Sequence, residues 1–221
     1  MERKLLIVAA LAAGSLLGVS TAWADPACTT GSVSSYQASG FSCSVGPVTF
    51  SNISVSTPTT GSGTVGLGNF TPVQFTYNGA TEYGLSLSYT ANTGTTPGSS
   101  ADVAFQYNVS GVPALVDAYA SFTGTTTGTG TQNLSEVLSN GVTLTLNSQG
   151  VTSANFAPVT NLFVIKDQDN FSGDSGSAQA SVLVNAFSTG TSTPVPEPAS
   201  LTLLGTALLG LGLLGRRRKQ M

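Results

Sequence analysis

The chain has 221 residues, a net charge of −3, two cysteines and no histidine, and charged residues make up only 8% of it, against about 25% in an average soluble domain. Without histidine, most acid–base and zinc chemistry at neutral pH is removed. Six of the seven basic residues lie at the two ends, and residues 25–193 carry −7 from eight acids and the single cation Lys166, which argues against nucleic-acid binding because that needs clustered cations.

The N-terminus predicts a secretory signal peptide over residues 1–24. A short basic segment precedes an apolar run over residues 5–19, and the small residues Ala22 and Ala24 follow with one residue between them. That order is typical of a cleaved export signal. A permanent anchor fits less well because the run is shorter than the ~20 residues of a spanning helix. We expect cleavage after Ala24.

The next feature is an isolated pair of cysteines, Cys28 and Cys43. In an oxidising compartment such a pair forms a disulfide more often than a metal or redox site. A thiol nucleophile, the alternative, would have no histidine to activate it. We therefore predict a Cys28–Cys43 disulfide in the exported protein.

Residues 25–190 predict one antiparallel β-sandwich ectodomain. Apolar residues alternate with polar or small ones in four stretches, Tyr83–Tyr89, Val103–Val109, Val142–Leu146 and Ala178–Ala186. Such alternation is typical of half-buried strands. Weaker strand patterns occupy Val45–Val55, Val73–Tyr77, Leu115–Phe122, Leu134–Leu138 and Leu162–Lys166. About nine short strands without a long amphipathic helix favour an all-β sandwich with a single core.

Turn-forming segments separate these predicted strands, at Thr57–Gly63, Asn78–Gly79, Asn92–Ser100, Asn140–Gly141 and Asp169–Gly176. The two Asn-Gly pairs are hairpin-turn patterns. The tract Thr123–Thr131 alternates threonine with glycine in places, and threonines on a flat β-face would suit ice or carbohydrate. Such a face needs a repeated rung that the sequence lacks, so we predict a flexible low-complexity loop.

The densest acidic cluster contains Asp167, Asp169 and Asp174. Oxygen ligands two residues apart on a loop are a pattern for Ca²⁺. The spacing departs from the EF-hand loop, since the twelfth position counted from Asp167 is Ala178 and not glutamate. A solvated turn between two strands is the simpler interpretation, and we predict no metal or other cofactor.

Four further acids, Glu82, Asp102, Asp117 and Glu136, lie one by one along the predicted strands. Glycoside hydrolysis needs two carboxylates about 5–10 Å apart in a cleft. Nothing in the spacing of these acids pairs them, and isolated acids are usually exposed. We interpret them as surface acids.

The C-terminus predicts a linker over residues 191–198, a transmembrane helix over residues 199–215 and a basic cytoplasmic tail over residues 216–221. The 17 residues of the predicted helix carry no charge, at the lower end of what spans a bilayer. Prolines on both sides of Glu197 keep the linker extended. By the positive-inside rule the membrane stop is the cationic cluster Arg216, Arg217, Arg218 and Lys219.

The tripeptide Pro196-Glu197-Pro198, followed by an apolar helix and an arginine-rich end, resembles the PEP-CTERM sorting signal of Gram-negative and related bacteria. The resemblance implies that exosortase, a membrane protease-transpeptidase, recognises the tripeptide and removes the helix. The mature protein would then reach the cell surface or an exopolysaccharide matrix. The same tail also carries the label "ice-binding protein C-terminal", which names a sorting tail and does not indicate ice binding. Phe41–Asn52 also looks like an N-terminal pattern of PEP-CTERM proteins.

The interpretation that follows is an exported structural protein of the envelope or extracellular matrix, without catalytic activity. Its partners would be exosortase, the membrane through the C-terminal helix, and exopolysaccharide. Two alternatives stay open. In a carbohydrate-binding or adhesive module, exposed aromatics such as Tyr36, Tyr77 or Tyr119 would stack on sugar rings, and burial of all of them would count against it. In a hydrolase, two acids would cluster in a cleft.

Overall fold

The computed structural model describes residues 25–190, and this part of the chain contains twelve strands and one short helix. The elements, in chain order, are β1 (Gly31–Ser32), α1 (Val33–Tyr36), β2 (Ser42–Val45), β3 (Val48–Ser56), β4 (Thr59–Thr60), β5 (Thr64–Tyr77), β6 (Ala80–Asn92), β7 (Ser100–Ala101), β8 (Val103–Thr127), β9 (Thr131–Leu138), β10 (Thr143–Leu146), β11 (Gly150–Phe171) and β12 (Ser177–Phe187). All pairings between these strands are antiparallel. The predicted all-β, antiparallel class is confirmed.

The predicted signal peptide, linker, transmembrane helix and basic tail lie outside the described residues. Within residues 25–190, no helix is long and apolar enough to cross a membrane.

Two long strands, β8 and β11, connect two six-stranded halves. The two strands pair along most of their length, from Val103↔Gln168 to Phe122↔Gly150, and the register shifts between Asn155 and Asn161. The first part of β8 also pairs with β3, and its second part pairs with β12. The first half therefore has the order β10-β9-β11-β8-β3-β2, and the second half has the order β1-β5-β6-β12-β8-β11. The two short strands β7 and β4 continue the sheet from the end of β11, where Phe171 pairs with Ser100.

The core lies between the inner faces of the two halves. The ring centroids of Phe50 in the first half and Phe187 in the second are 6.4 Å apart, and those of Phe105 and Phe70 are 6.2 Å apart. These contacts bring together strands far apart in sequence, and burial of their apolar surface is the main stabilising term. The alternation in the sequence predicts which residues point inward, because side chains of a strand alternate between its faces.

The N-terminal segment is joined to β2 by the disulfide that the sequence predicts, between Cys28 and Cys43, with Cα atoms 4.8 Å apart. Two backbone hydrogen bonds lie beside it, from Cys28 N–H to the Ser44 carbonyl and from Ser44 N–H to the Pro26 carbonyl. Closing a loop of this length stabilises the fold by about 3 kcal/mol in the chain-entropy model. The one-turn helix α1 follows, and the Ser32 side chain caps its first turn.

Several predicted boundaries are wrong. The stretches Val103–Val109 and Leu115–Phe122 belong to one strand, β8, and β11 begins at Gly150 rather than Leu162. Thr123–Thr127, predicted as a flexible loop, continues β8 because it pairs with β12. β-Branched threonine suits such a position, but exposed residues on both faces leave no alternation to detect. The predicted turn Asp169–Gly176 begins only after Phe171, where β11 ends.

Candidate functional site

The outer face of the first half carries a polar groove. Ser51, Asn108 and Phe163 are cross-strand neighbours on β3, β8 and β11, so their side chains share this face. A second row two residues along contains Ser110 and Asn161. The groove has a volume of about 420 Å³, and Ser139 forms its side next to β9.

Phe163 is the aromatic residue of this groove, and it is 40% exposed. Its backbone is held in place by Ser139, the residue after β9: the Phe163 N–H donates to the Ser139 hydroxyl at 3.0 Å, and the Ser139 N–H donates to the Phe163 carbonyl at 2.9 Å. Ile165 and Val137, which are cross-strand partners, extend the exposed apolar surface along the same face. An exposed ring beside amides and hydroxyls can stack on an apolar face of a ligand while the polar groups form hydrogen bonds.

The three tyrosines singled out as sugar-stacking candidates are not solvent-facing rings. Tyr36 is 2% exposed and packs against Phe70, and Tyr119 is 8% exposed. Tyr77 is half-buried and meets the Tyr119 ring edge-on with centroids 4.8 Å apart. Sequence reasoning missed Phe163, because the continuous apolar run Leu162–Ile165 is typical of a strand buried on both faces and gives no sign that this ring is exposed.

The candidate calcium ligands are divided between a strand and a turn. Asp167 and Asp169 lie on β11, and Asp174 lies in the turn that follows. Burial raises the pKa of Asp167 to about 6, and repulsion from Asp169 and Asp102 adds to this shift. In the part of the chain that the structure describes, no group of three or more His, Cys, Asp or Glu side chains is arranged to hold a metal ion.

Glu82 and Asp117 form a buried acid pair on the outer side of the second half. Glu82 is 1% exposed, and its Oε2 has no hydrogen-bond partner among the described residues. Burial raises the pKa of Glu82 to about 7, and the charge and hydrogen bond of Asp117 act in the same direction. Asp117 in turn accepts a 2.7 Å hydrogen bond from the Ser188 N–H. The interpretation of Glu82 as a surface acid is wrong.

Glu136 is also buried rather than exposed, and it belongs to a polar cluster inside the core. Its carboxylate lies 2.8 Å from the Lys166 Nζ, and both side chains are 0% exposed. Asn185 donates to the same carboxylate at 2.9 and 3.0 Å. Burial lowers the pKa of Lys166, and the charge of Glu136 opposes that shift. A buried ion pair of this kind requires close geometry and added hydrogen bonds.

The polar cluster continues along the inner face of β11. Gln168 accepts a hydrogen bond from the Tyr89 hydroxyl at 2.9 Å, and it donates to Asn170 at 3.1 Å. Asn170 also donates to the Ala101 carbonyl at 2.7 Å, and Gln132 donates to the Asn170 side chain at 3.0 Å. Each of these amides is fully or almost fully buried, so the network provides the partners that buried polar groups need.

Comparison with known protein families identifies the C-terminal segment. Residues 194–219 match the family described as the PEP-CTERM protein-sorting motif. The resemblance predicted from Pro196-Glu197-Pro198 and the residues after it is confirmed. The motif indicates a secreted protein that is sorted by exosortase, and it implies a C-terminal membrane anchor before processing.

No curated protein matches the chain. Among solved structures, an enzymatically active domain of tailspike protein 4 from bacteriophage CBA120 is 18% identical with a TM-score of 0.29, covering 61% of this chain and 19% of that one. A family 11 carbohydrate-binding module of Clostridium thermocellum is 11% identical with a TM-score of 0.24, covering 62% and 88%. A family two carbohydrate esterase from Cellvibrio japonicus is 10% identical with a TM-score of 0.22, covering 62% and 34%. These scores are too low to support a shared function.

Proposed function

We propose that this protein is a non-catalytic structural component of the cell surface or extracellular matrix, with residues 25–190 as a β-sandwich ectodomain. The observation that carries the proposal is the sorting motif at residues 194–219. The ectodomain, which precedes the motif in the sequence, is stabilised by a disulfide and by a core that extends across both halves. Such a module suits an extracellular environment, in which disulfides persist.

The burial of Glu136 and Glu82 also favours a structural role over a hydrolytic one for these two acids. Glu136 is paired with Lys166 inside the core, and Glu82 is buried against Asp117. A glycosidase needs its two carboxylates in a cleft that the substrate enters. Neither of these buried acids faces the groove on the outer surface of the first half.

Processing at the sorting motif tests this function. Glu197→Ala should leave a full-length precursor in the inner membrane of a host that has exosortase, because the hydrophobic length and cationic stop remain while the tripeptide changes. Thr193→Ala, just before the motif, is the matched control and should be processed normally. Immunoblots of fractionated cells measure both. Equal amounts of the same membrane-bound species from wild type and Glu197→Ala would contradict the proposal and indicate a permanent tail anchor.

A second candidate function, binding of a neutral polysaccharide, is favoured by the groove around Phe163. Its lining consists of hydroxyl, amide and apolar groups without a charged side chain. An uncharged groove with one exposed ring suits an uncharged sugar chain better than an acidic one, because no cation is present in the groove to pair with carboxylates. Exopolysaccharide at the cell surface is the corresponding ligand.

Two phenylalanines on the same strand provide a matched test of the groove. Phe163 lines it, whereas Phe171 is similarly exposed at 44% but lies at the far end of β11. Phe163→Ala should weaken retardation in gels containing the host's purified exopolysaccharide by about tenfold in affinity, or about 1.4 kcal/mol. Phe171→Ala should leave it unchanged. Equal retardation of both variants and wild type would exclude the groove as the binding surface.

A further inference from the structure

Lys166 is the single cation between the two charged ends of the chain, and it lies fully inside the core. Lysine is almost never fully buried unless it is paired. Here three side chains from three strands meet: Lys166 on β11, Glu136 on β9 and Asn185 on β12. Lys166 and Glu136 are cross-strand neighbours in the first half, whereas Asn185 belongs to the second half and reaches them across the core.

The carboxylate of Glu136 contacts both nitrogen atoms. Its Oε2 lies 2.8 Å from the Lys166 Nζ and 3.0 Å from the Asn185 Nδ2, and its Oε1 lies 2.9 Å from that Nδ2. The Lys166 Nζ also donates to the carbonyl of Val184, the residue before Asn185, at 3.0 Å. The Lys166 amine and the Asn185 amide are thus both in contact with one carboxylate, which can exchange protons with each of them.

We propose that Lys166 and Asn185 become joined by an amide bond between Nζ and the side-chain carbon Cγ, with Glu136 as the catalytic residue that moves the protons. Such a bond covalently links β11 of the first half to β12 of the second. It is a modification of the protein by its own residues, and it is independent of the function proposed for the outer groove.

The reaction balances without a co-reactant. Glu136 accepts one proton from the ammonium group of Lys166, and the free Nζ lone pair attacks Cγ of Asn185. A second proton passes from the attacking nitrogen through Glu136 to Nδ2, the Cγ–Nδ2 bond breaks, and ammonia leaves. The product contains one Nζ–Cγ amide with one hydrogen on nitrogen, and the first proton remains on Glu136.

The surroundings favour this reaction over the charged starting state. Burial lowers the pKa of Lys166, so the amine loses its proton more readily than in water. All three side chains are at most 1% exposed, so water is excluded and the reacting groups remain in place. The reaction replaces a buried ion pair with a neutral amide and a neutral acid, which removes the cost of holding two charges in the core.

The reaction also provides a hydrogen-bond donor for a buried oxygen that lacks one. The Oδ1 of Asn185 is buried without a hydrogen-bond partner among the described residues, because the Glu136 carboxylate can only accept. Once protonated, Glu136 can donate to the new amide oxygen. The Nδ2 donation to the Tyr119 carbonyl, at 2.9 Å, is lost with the ammonia.

Trypsin provides a direct test, because Lys166 is the only lysine or arginine between residues 5 and 215. The full chain should be purified from an exporting host, reduced, denatured and digested. Trypsin cuts after a free lysine and not after an acylated one. We expect no cleavage at Lys166 and a peptide mass that is lower than the sequence mass by one ammonia. Cleavage at Lys166 together with an unchanged mass would overturn the proposal.

Three variants sharpen the result. Asn185→Leu removes the carbonyl and Glu136→Gln removes the proton carrier, so both should be cut at Lys166 and retain the sequence mass even if they fold poorly, since digestion is carried out on denatured chains. Asn185→Asp should form the same amide with loss of water instead of ammonia. A succinimide at Asn185 would also lose ammonia but would leave Lys166 cleavable, and that result would count against the bond.

Discussion

The inner faces of β8 and β11 differ sharply, although the two strands are paired and face the same core. The first part of β8 presents Val103, Phe105 and Tyr107, whereas the facing register of β11 presents Lys166 and Gln168. Lys166 is the direct partner of Phe105, and Gln168 is the direct partner of Val103. At these two paired positions β8 thus contributes apolar side chains, and β11 contributes polar side chains that are similarly buried.

The comparison shows what each kind of inner face requires. Apolar residues need only matching volume, because the hydrophobic effect has no direction. Polar residues need a specific partner from another strand, since a buried group without one costs about 1–3 kcal/mol. The inner face of β11 is stable because β9, β12 and β6 each provide partners for it. Changes on β11 should therefore be more sensitive to the identity of the partner than changes on β8.

The largest expected effect is loss of the Glu136 carboxylate. Glu136→Ala should lower the free energy of unfolding by about 3–5 kcal/mol, because it leaves Lys166 buried without its counter-charge. The double variant Glu136→Ala, Lys166→Met removes both charges and should lose clearly less. Neither variant can form the proposed bond, so chemical denaturation of the pair isolates the buried charge. Equal stability of the two variants would contradict this account.

A smaller effect is expected at Gln168. Gln168→Leu removes the acceptor of the Tyr89 hydroxyl and a partner of Asn170, and should cost about 1–3 kcal/mol. Val103→Leu, at the directly paired position of β8, changes only apolar volume and serves as the control. Urea denaturation of both variants is the measurement. If Val103→Leu proved the more destabilising of the two, β11 would not depend on its partners in the way described.

Glu82 extends the comparison to a buried acid that faces another acid instead of a cation. Its pKa of about 7 in the folded protein lies above the ordinary value of 4.5, so the folded state binds the proton more tightly than the unfolded state. The resulting stabilisation is complete below the unfolded value and is lost as the pH rises through about 7. We expect a loss of about 1–2 kcal/mol between acidic and mildly alkaline pH.

The control for this pH dependence is Glu82→Gln, which keeps the shape of the side chain but cannot titrate. Asp167, with a pKa raised to about 6, contributes in the same direction in both proteins, so their difference belongs to Glu82. The free energy of unfolding, measured by denaturation at a series of pH values, should fall more steeply with rising pH for wild type than for Glu82→Gln. Parallel dependences in the two proteins would refute the assignment.

The smallest effect concerns two buried tyrosine hydroxyls. Tyr89 donates to Gln168, and Tyr89→Phe should cost about 1 kcal/mol because that acceptor loses its donor. The Tyr107 hydroxyl is buried without a partner among the described residues, so Tyr107→Phe should be neutral or slightly stabilising. Thermal unfolding of the two variants side by side measures the difference. The opposite order would show that Tyr107 has a hydrogen-bonded role.

Much of the secondary structure could be predicted because alternation along a strand is a local property. Val103–Val109 and Ala178–Ala186 were recognised in this way, and both lie in strands. The same reasoning failed for Thr123–Thr127, where nearly every residue is exposed, and for Gly150–Asn161, where half-buried Thr152 and exposed Val151 mask the alternation. Their strand state depends on pairing with a neighbour, which leaves no period in the sequence.

The candidate sites were less predictable than the strands. Glu136 and Lys166 are 30 positions apart in sequence, yet they are cross-strand partners. Glu82 on β6 and Asp117 on β8 are not direct partners and come together across the chain at the end of β12. Composition treats such acids as surface residues, and only the register of long-range pairs shows that they are buried.

The sequence by itself determined the sorting motif at residues 194–219 and the antiparallel β class, because these depend on a short segment and on local alternation. It also contained the isolated pair Cys28 and Cys43, whose compartment predicts the bond. The tertiary structure alone decided which strands pair and in which register, and therefore that Lys166, Glu136 and Asn185 meet inside the core. The reason is physical: a shift of one residue in strand register turns every side chain to the opposite face.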